Sequence, residues 1–176
     1  QRSFASPIIG YDGKLYVGSQ DKNIYCIDPK TGNIEWSFKT SSVVNAGFSM
    51  DYSNKIYASV GYNKLTNKTY VIDGKNGKLI NSYKVGAGTS PIIADNGNVY
   101  ITNIDNYIYT LDNEIGTTKL SSQLGGSIIT HPALGDDGTL YVGALDSIFY
   151  AINSTTGEIS WEYKTGAQIR SSPVID

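Results

Sequence analysis

Adjacent carboxylates at Asp136 and Asp137, a single imidazole at His131 and a single thiol at Cys26 are the groups in this chain best suited to chemistry. Paired carboxylates can divide acid and base work, an imidazole can move a proton near neutral pH, and a thiolate can attack or change oxidation state. Each of these residues stands in a setting that suits a plainer role. Asp136 and Asp137 belong to DDGT, a hairpin sequence whose carboxylates are expected in a solvated turn. A Ser-His-Asp arrangement could draw on many serines, but no GxSxG elbow is present. Gly125 and Gly126 precede a strand-like run and lack the lysine and helix of a phosphate loop. One Cys and one His cannot furnish a four-ligand zinc cage, so neither metal nor cofactor is expected. A lone cysteine also closes no disulfide within the chain.

Composition narrows the classes further. At 176 residues, with 40 % hydrophobic and 17 % charged residues, the chain can bury a core and is too apolar for a disordered segment. Its formal charge of -2 comes with scattered Lys and Arg, which does not make the basic face that nucleic acid requires. No apolar run approaches the roughly 20 residues of a membrane span. The opening QRSFASPII lacks a charged start and an apolar middle, as expected of a chain made without a signal peptide or trimmed of one.

What must position these groups is a repeat. DPKTGNIEWSFKT at 28–40 returns as NSTTGEISWEYKT at 153–165. Tyr16, Tyr57, Tyr100 and Tyr141 lie 41, 43 and 41 residues apart. Nine residues before them stand Pro7, Phe48, Pro91 and Pro132, and Pro173 opens a fifth copy. Tyr25, Tyr70, Tyr109 and Tyr150 follow, then Gly32, Gly77, Gly116 and Gly157 seven residues beyond. Copy two differs by four extra residues in SVGYNKLTNKT and two fewer around KVGAG, which marks those places as loops.

Each unit reads as four strands. SPIIG, KLYVGS, NIYCID and NIEWSFKT are separated by turn sequences, and YDGK, DNGN and DDGT close tight antiparallel hairpins. Asp28, Asp73, Asp112 and Asn153 start the third connection, where an Asx side chain can bond the turn's own N–H groups. Apolar residues occupy both parities of NIYCID and LYVGS, so each sheet must be covered on both faces. Four-stranded sheets that cover one another around an axis make an all-β propeller. The expected blades are 5–45, 46–87, 88–129 and 130–170, with 171–176 the first strand of a further one.

TGxxxW, placed after YxxD and before the next SP, resembles the PQQ-like repeat of the quinoprotein dehydrogenase superfamily and of BamB-like propellers. Thr31, Gly32 and Trp36 carry the match, and Thr156, Gly157 and Trp161 repeat it; Asp21, Asp105 and Asp146 fit the second connection. The resemblance covers essentially the whole chain. It implies an indole packed between adjacent blades, with Asn81 and Leu120 filling that slot differently in copies two and three. It also implies a ring of seven or eight blades, so the chain is expected to be a slice of one or half of a two-chain ring. The dehydrogenases of the superfamily hold a quinone with calcium and often a vicinal cysteine pair. No adjacent cysteines occur here, and Cys26 shares a small interior slot with Val71, Thr110 and Ala151.

The expected function is a non-catalytic binding module for a protein or extended ligand, outside the cell or in the periplasm as the resemblance implies. Asn45, Tyr62, Asn63, His131 and Arg170 are the residues expected on its binding surface, at the end carrying the enlarged loop of copy two. Eight of the fourteen tyrosines belong to the sheets by their repeat slots, which leaves Tyr62 as the free aromatic of that loop. Self-association through uncovered end blades is the further expected contact. The alternatives are a piece of a quinoprotein dehydrogenase and a sensor or adhesion domain of a larger surface protein.

Overall fold

The computed structural model describes residues 5–61, 65–86, 89–111 and 117–175. Within them sixteen strands form four sheets of four, each a run of consecutive antiparallel strands. Blade one comprises β1 (Ile8–Ile9), β2 (Leu15–Gly18), β3 (Asn23–Ile27) and β4 (Ile34–Lys39). Blade two comprises β5 (Phe48–Met50), β6 (Lys55–Val60), β7 (Lys68–Asp73) and β8 (Leu79–Tyr83). Blade three holds β9 (Ile92–Ile93), β10 (Val99–Thr102), β11 (Tyr107–Leu111) and β12 (Thr118–Gln123). Blade four holds β13 (Ala133–Leu134), β14 (Thr139–Gly143), β15 (Ile148–Asn153) and β16 (Ile159–Lys164). Residues 171–175, expected to open a further blade, carry no strand pairing. No helix among the described residues is long and apolar enough to cross a membrane.

The hairpins close as their residue types require. Gly13, Gly97 and Gly138 take positive φ of 75°, 82° and 80° in the first turn of their blades. Blade two has no glycine there, and Asn54 adopts φ 66° instead, a conformation that Asn tolerates better than most residues.

Alternation along the strands explains why both parities are apolar. Ile56, Ala58, Tyr70 and Ile72 of blade two join Tyr16, Ile24 and Cys26 of blade one in one core, with Trp36 and Phe38 packed against it. The intervening residues Tyr57 and Val71 face the other way and meet Val99, Ile101 and Leu111 of blade three. Tyr100 and Ile108 then pack with Leu140, Val142, Tyr150 and Ile152 of blade four. Each core thus lies between two sheets, the arrangement of a propeller. The first strands run on the axial side, where β5 and β9 approach each other.

A repeated irregularity aims the tryptophans. In blade one Cys26 pairs with Trp36 and Ile27 with Ile34, so Glu35 is left over as a β-bulge. The same slip falls at the same place in the other three blades, leaving Ile80, Lys119 and Ser160 over. A bulge rotates the strand locally and turns the next side chain toward a neighbour. Trp36 accordingly reaches blade two, donating from Nε1 to the Gly74 carbonyl at 2.9 Å. Its ring lies against Gly77, where a Cβ would sit 2.7 Å from the indole. The Tyr16 hydroxyl gives its proton to Asp12 at 2.7 Å and lies 3.2 Å from the same carbonyl.

The slot of blade two, which lacks tryptophan, is filled otherwise. Asn81 is satisfied within its own strand, donating to the Tyr83 hydroxyl and accepting the Ser82 N–H. Between blades three and four, beside Tyr100 and Ser154, the counterparts of Tyr16 and Gly74, lies a cleft of about 520 Å³. Trp161 has the expected bulge, and among the described residues no other blade packs on it. Its ring rests on Tyr141 and Phe149 of its own blade and is 47 % exposed. The truncation cost expected of a packed indole therefore attaches more to Trp36, which is partly buried against blade two, than to Trp161.

Candidate functional site

One end of the propeller gathers the second turn of each blade with the segment linking that blade to the next. Thr40 N–H bonds Lys22 O at 2.8 Å and Val44 N–H bonds Ser19 O at 3.2 Å, tying the link to its own blade. Gly61 N–H then bonds Val43 O at 3.2 Å, tying the same link to the second turn of the next blade. The pattern recurs as Leu124 to Asn106 O, Leu145 to Ser127 O and Thr165 to Ser147 O. Sequence reading missed what makes these turns. Lys22, Asn106 and Ser147 each adopt positive φ near 70° without being glycine. Their carbonyls are aimed at the link, where Thr40 and Thr165 bond them with both N–H and Oγ1.

The recurrent aspartates are consumed by the scaffold. Asp21 accepts N–H bonds from its own turn and the Tyr25 hydroxyl at 2.7 Å. Asp105 holds Tyr109 at 2.9 Å and Asp146 holds Tyr150 at 2.5 Å in the same way. Burial alone would raise the Asp21 pKa, but the bonds from Tyr25, Ser19 and Asn23 outweigh it and hold the carboxyl below its usual range. Blade two lacks this aspartate. There Lys68 Nζ stands 4.8 Å over the Tyr70 ring, and the Tyr70 hydroxyl accepts Ser41 N–H.

The tyrosine side of these pairs has a measurable consequence. Burial first, and the Asp146 bond second, push Tyr150 from 10.0 up to about 12. The folded protein therefore favours the neutral phenol. The stability this contributes is complete below pH 10 and is lost as pH rises toward 12. The stability difference between the unmodified chain and Tyr150→Phe should shrink across that window, measured by urea unfolding at successive pH. A difference that stays constant would show that the phenol is not linked to folding.

The residues expected on the binding surface divide three ways. Asn45, His131 and Arg170 all lie in interblade links at this end. Tyr62 and Asn63 lie outside the described residues. Both polar atoms of the Asn45 amide are shielded from solvent without a hydrogen-bond partner, an arrangement costing about 1–3 kcal/mol per group. Arg170 is exposed and bonds only Gln168, at 2.8 Å. His131 belongs to an axial relay: Ser90 N–H donates to its Nδ1 at 3.3 Å, and its own N–H donates to Ser172 Oγ at 2.9 Å. Burial lowers the His131 pKa, which favours the neutral ring whose Nδ1 accepts that bond. The structure shows no contact joining Asn45, His131 and Arg170.

The remaining sequence motifs are structural. Gly32 and Gly157 adopt φ of 72° and 77° and close their turns onto Asp28 O and Asn153 O, each at 2.8 Å. Thr31 and Thr156 accept N–H bonds from Asn33 and Glu158 in the same turns. Asp137 takes the Thr139 N–H in its hairpin, and Cys26 is buried. Among the described residues no group of three His, Cys, Asp or Glu is gathered to hold a metal ion.

Comparison with known proteins adds to this geometry. A sequence model of the family described as outer membrane protein assembly factor BamB matches residues 1–92 and, again, residues 82–175. No curated protein matches the chain. The crystal structure of BamB from Moraxella catarrhalis superposes with a TM-score of 0.75 at 19 % identity, over 90 % of this chain and 49 % of that one. The chain thus spans about half the length of that relative.

Proposed function

The chain belongs to the family of outer membrane protein assembly factor BamB, and from that premise we propose that it is a non-catalytic scaffold binding a protein or an extended ligand. The binding surface is the end formed by the second turns and the interblade links. What carries the reading is the way the recurring polar groups are spent. Tyr25, Tyr109, Tyr150 and their aspartates bond one another, and the irregular positions Asn45, His131 and Arg170 collect at this end.

We take the partner to be a protein of outer membrane protein assembly, a choice that the family's description supports, and the compartment to be the periplasm or the outside of the cell. The test uses outer-membrane assembly proteins encoded by the same genome as immobilised baits. Binding by the unmodified chain should weaken at least about tenfold when residues 62–67 are deleted, and likewise in a His131→Ser, Arg170→Ala variant. Unchanged affinity in both would move the surface elsewhere. Absence of binding by the unmodified chain would overturn this choice of partner.

A further inference from the structure

Opposite the second turns and the links, the antiparallel strands bring the first and third turns of each blade to one end. The first turns adjoin the axial strands and stand nearest the axis. One backbone bond closes each of them: Gly10, Asp51, Ala94 and Gly135 donate N–H to the carbonyls of Lys14, Lys55, Asn98 and Thr139 at 2.9–3.1 Å. The residue after each donor is therefore one slot in four blades, and it reads Tyr11, Tyr52, Asp95 and Asp136. All four are exposed.

The turns do not use these side chains. Their N–H groups go to Asp12, Asp51, Asn96 and Asp137 instead. Asp95 and Asp136 make no hydrogen bond or ion pair among the described residues. The two tyrosine rings meet across blades one and two with centroids 5.1 Å apart and 30° between their planes. Beside them a cleft of about 250 Å³ is lined by Tyr11, Tyr52, Met50, Ile93 and Asp95. The cleft of about 520 Å³ between blades three and four is lined by Asp95 and Asp136 together with Tyr100 and Ser154. Asp95 lines both, so the two clefts adjoin, and each lies between neighbouring blades. No Lys, Arg or His lines either one. Lys14, the cation of the first turn in blade one, is paired with Glu35 and Asp28. Negative charge is thus uncompensated in the clefts, next to aromatic faces.

We propose that this end binds an extended cationic peptide segment with arginines at alternate positions, one guanidinium against Tyr52 and the next between Asp95 and Asp136. A guanidinium stacks on an aromatic face and takes a carboxylate through its planar fork. Alternate side chains of an extended chain leave one face about 7 Å apart, and neighbouring sheets stand about 10 Å apart, a difference that arginine's flexible stem spans. A neutral sugar would also stack on the tyrosines, but it would leave the carboxylate charge unmatched, so the charge favours the cation.

The test is an NMR titration of the nitrogen-labelled 176-residue chain with the peptide acetyl-Gly-Arg-Thr-Arg-Gly-amide. Amide shifts should gather at the first turns, with a Kd on the order of 1 mM at about 20 mM salt and several times weaker at about 500 mM. Tyr52→Ala should weaken binding about fivefold, and Asp95→Asn about fivefold. Both alter exposed side chains, so the fold is retained. Glu162→Gln, which removes one exposed charge from β16, should leave binding unchanged. These variants lie at the opposite end from His131 and Arg170, so failure of this proposal and failure of the binding-surface reading are distinguishable. Four results would overturn it: no shifts at the first turns, equal weakening by Glu162→Gln and Asp95→Asn, equal binding of the peptide with glutamine for each arginine, or tighter binding of chitotetraose than of the peptide.

Discussion

Replacing Trp36 by alanine should lower the unfolding free energy by about 3 kcal/mol, read as a drop in the urea midpoint with an unchanged slope. The figure sits at the low end of the range for tryptophan truncation because the ring is only partly buried. Its loss opens the space between Tyr16 and Gly77, a glycine held at φ 70° that cannot move in to fill it. The Gly74 carbonyl loses the indole N–H as well, since the Tyr16 hydroxyl gives its proton to Asp12 at 2.7 Å and stands 3.2 Å from that carbonyl. Trp161→Ala is the control. It should cost less than about 1 kcal/mol, since nearly half of its ring is exposed. Equal costs at the two positions would mean that the bulge-directed contact with blade two adds nothing.

Gly18→Val should be of similar size, destabilising by about 3 kcal/mol, at the upper end for overpacking. Gly18 ends β2 beneath the link to blade two. A Cβ there would run into Val44 and lie 2.7 Å from the Phe48 ring. Val44 cannot yield, because it is fully buried and its backbone is bonded to Ser19. Trimming it should therefore rescue: Gly18→Val combined with Val44→Ala should be more stable than the sum of the single costs by about 1 kcal/mol or more. Strict additivity would separate the two sites. Gly143 meets Ile169 in the same manner in blade four, its Cβ falling 2.8 Å from that side chain. Where the slot holds Ser59 or Thr102, the hydroxyl bonds Thr69 or Thr89 instead.

Much of this architecture was legible from spacing. Tyrosines recurring near every 41 residues located the second strand of every blade, and the two-parity apolar pattern foretold sheets covered on both sides, as β6 and β7 of blade two show, while in NIYCID itself only Ile24 and Cys26 are fully covered. The bulge was not legible. Glu35, Ile80, Lys119 and Ser160 share no chemistry, and a residue left out of register leaves no compositional trace; the fixed three-residue gap in TGxxxW was its only signal. Nor did the sequence reveal Lys22 and Ser147 at positive φ, since neither is a residue type that favours it and the threonine links hold them there. The binding surface was legible only as a set of irregular slots. Asn45 and Arg170 occupy equivalent places three blades apart, yet one amide is enclosed and the other side chain is open to water. A repeat alignment records position, and enclosure depends on what the next blade brings.

The bonding of the recurrent aspartates bears on how this end of the molecule presents itself to a partner. Drawn as a charge map, Asp21, Asp105 and Asp146 would suggest an acidic collar inviting a cationic protein. Each carboxylate already has a phenol and a turn amide on it, so a visiting lysine would have to compete with those donors. The charge itself remains, so a cationic partner would still be drawn to this end at long range, and less so as salt is added, while close contacts would fall to shape and neutral polar groups.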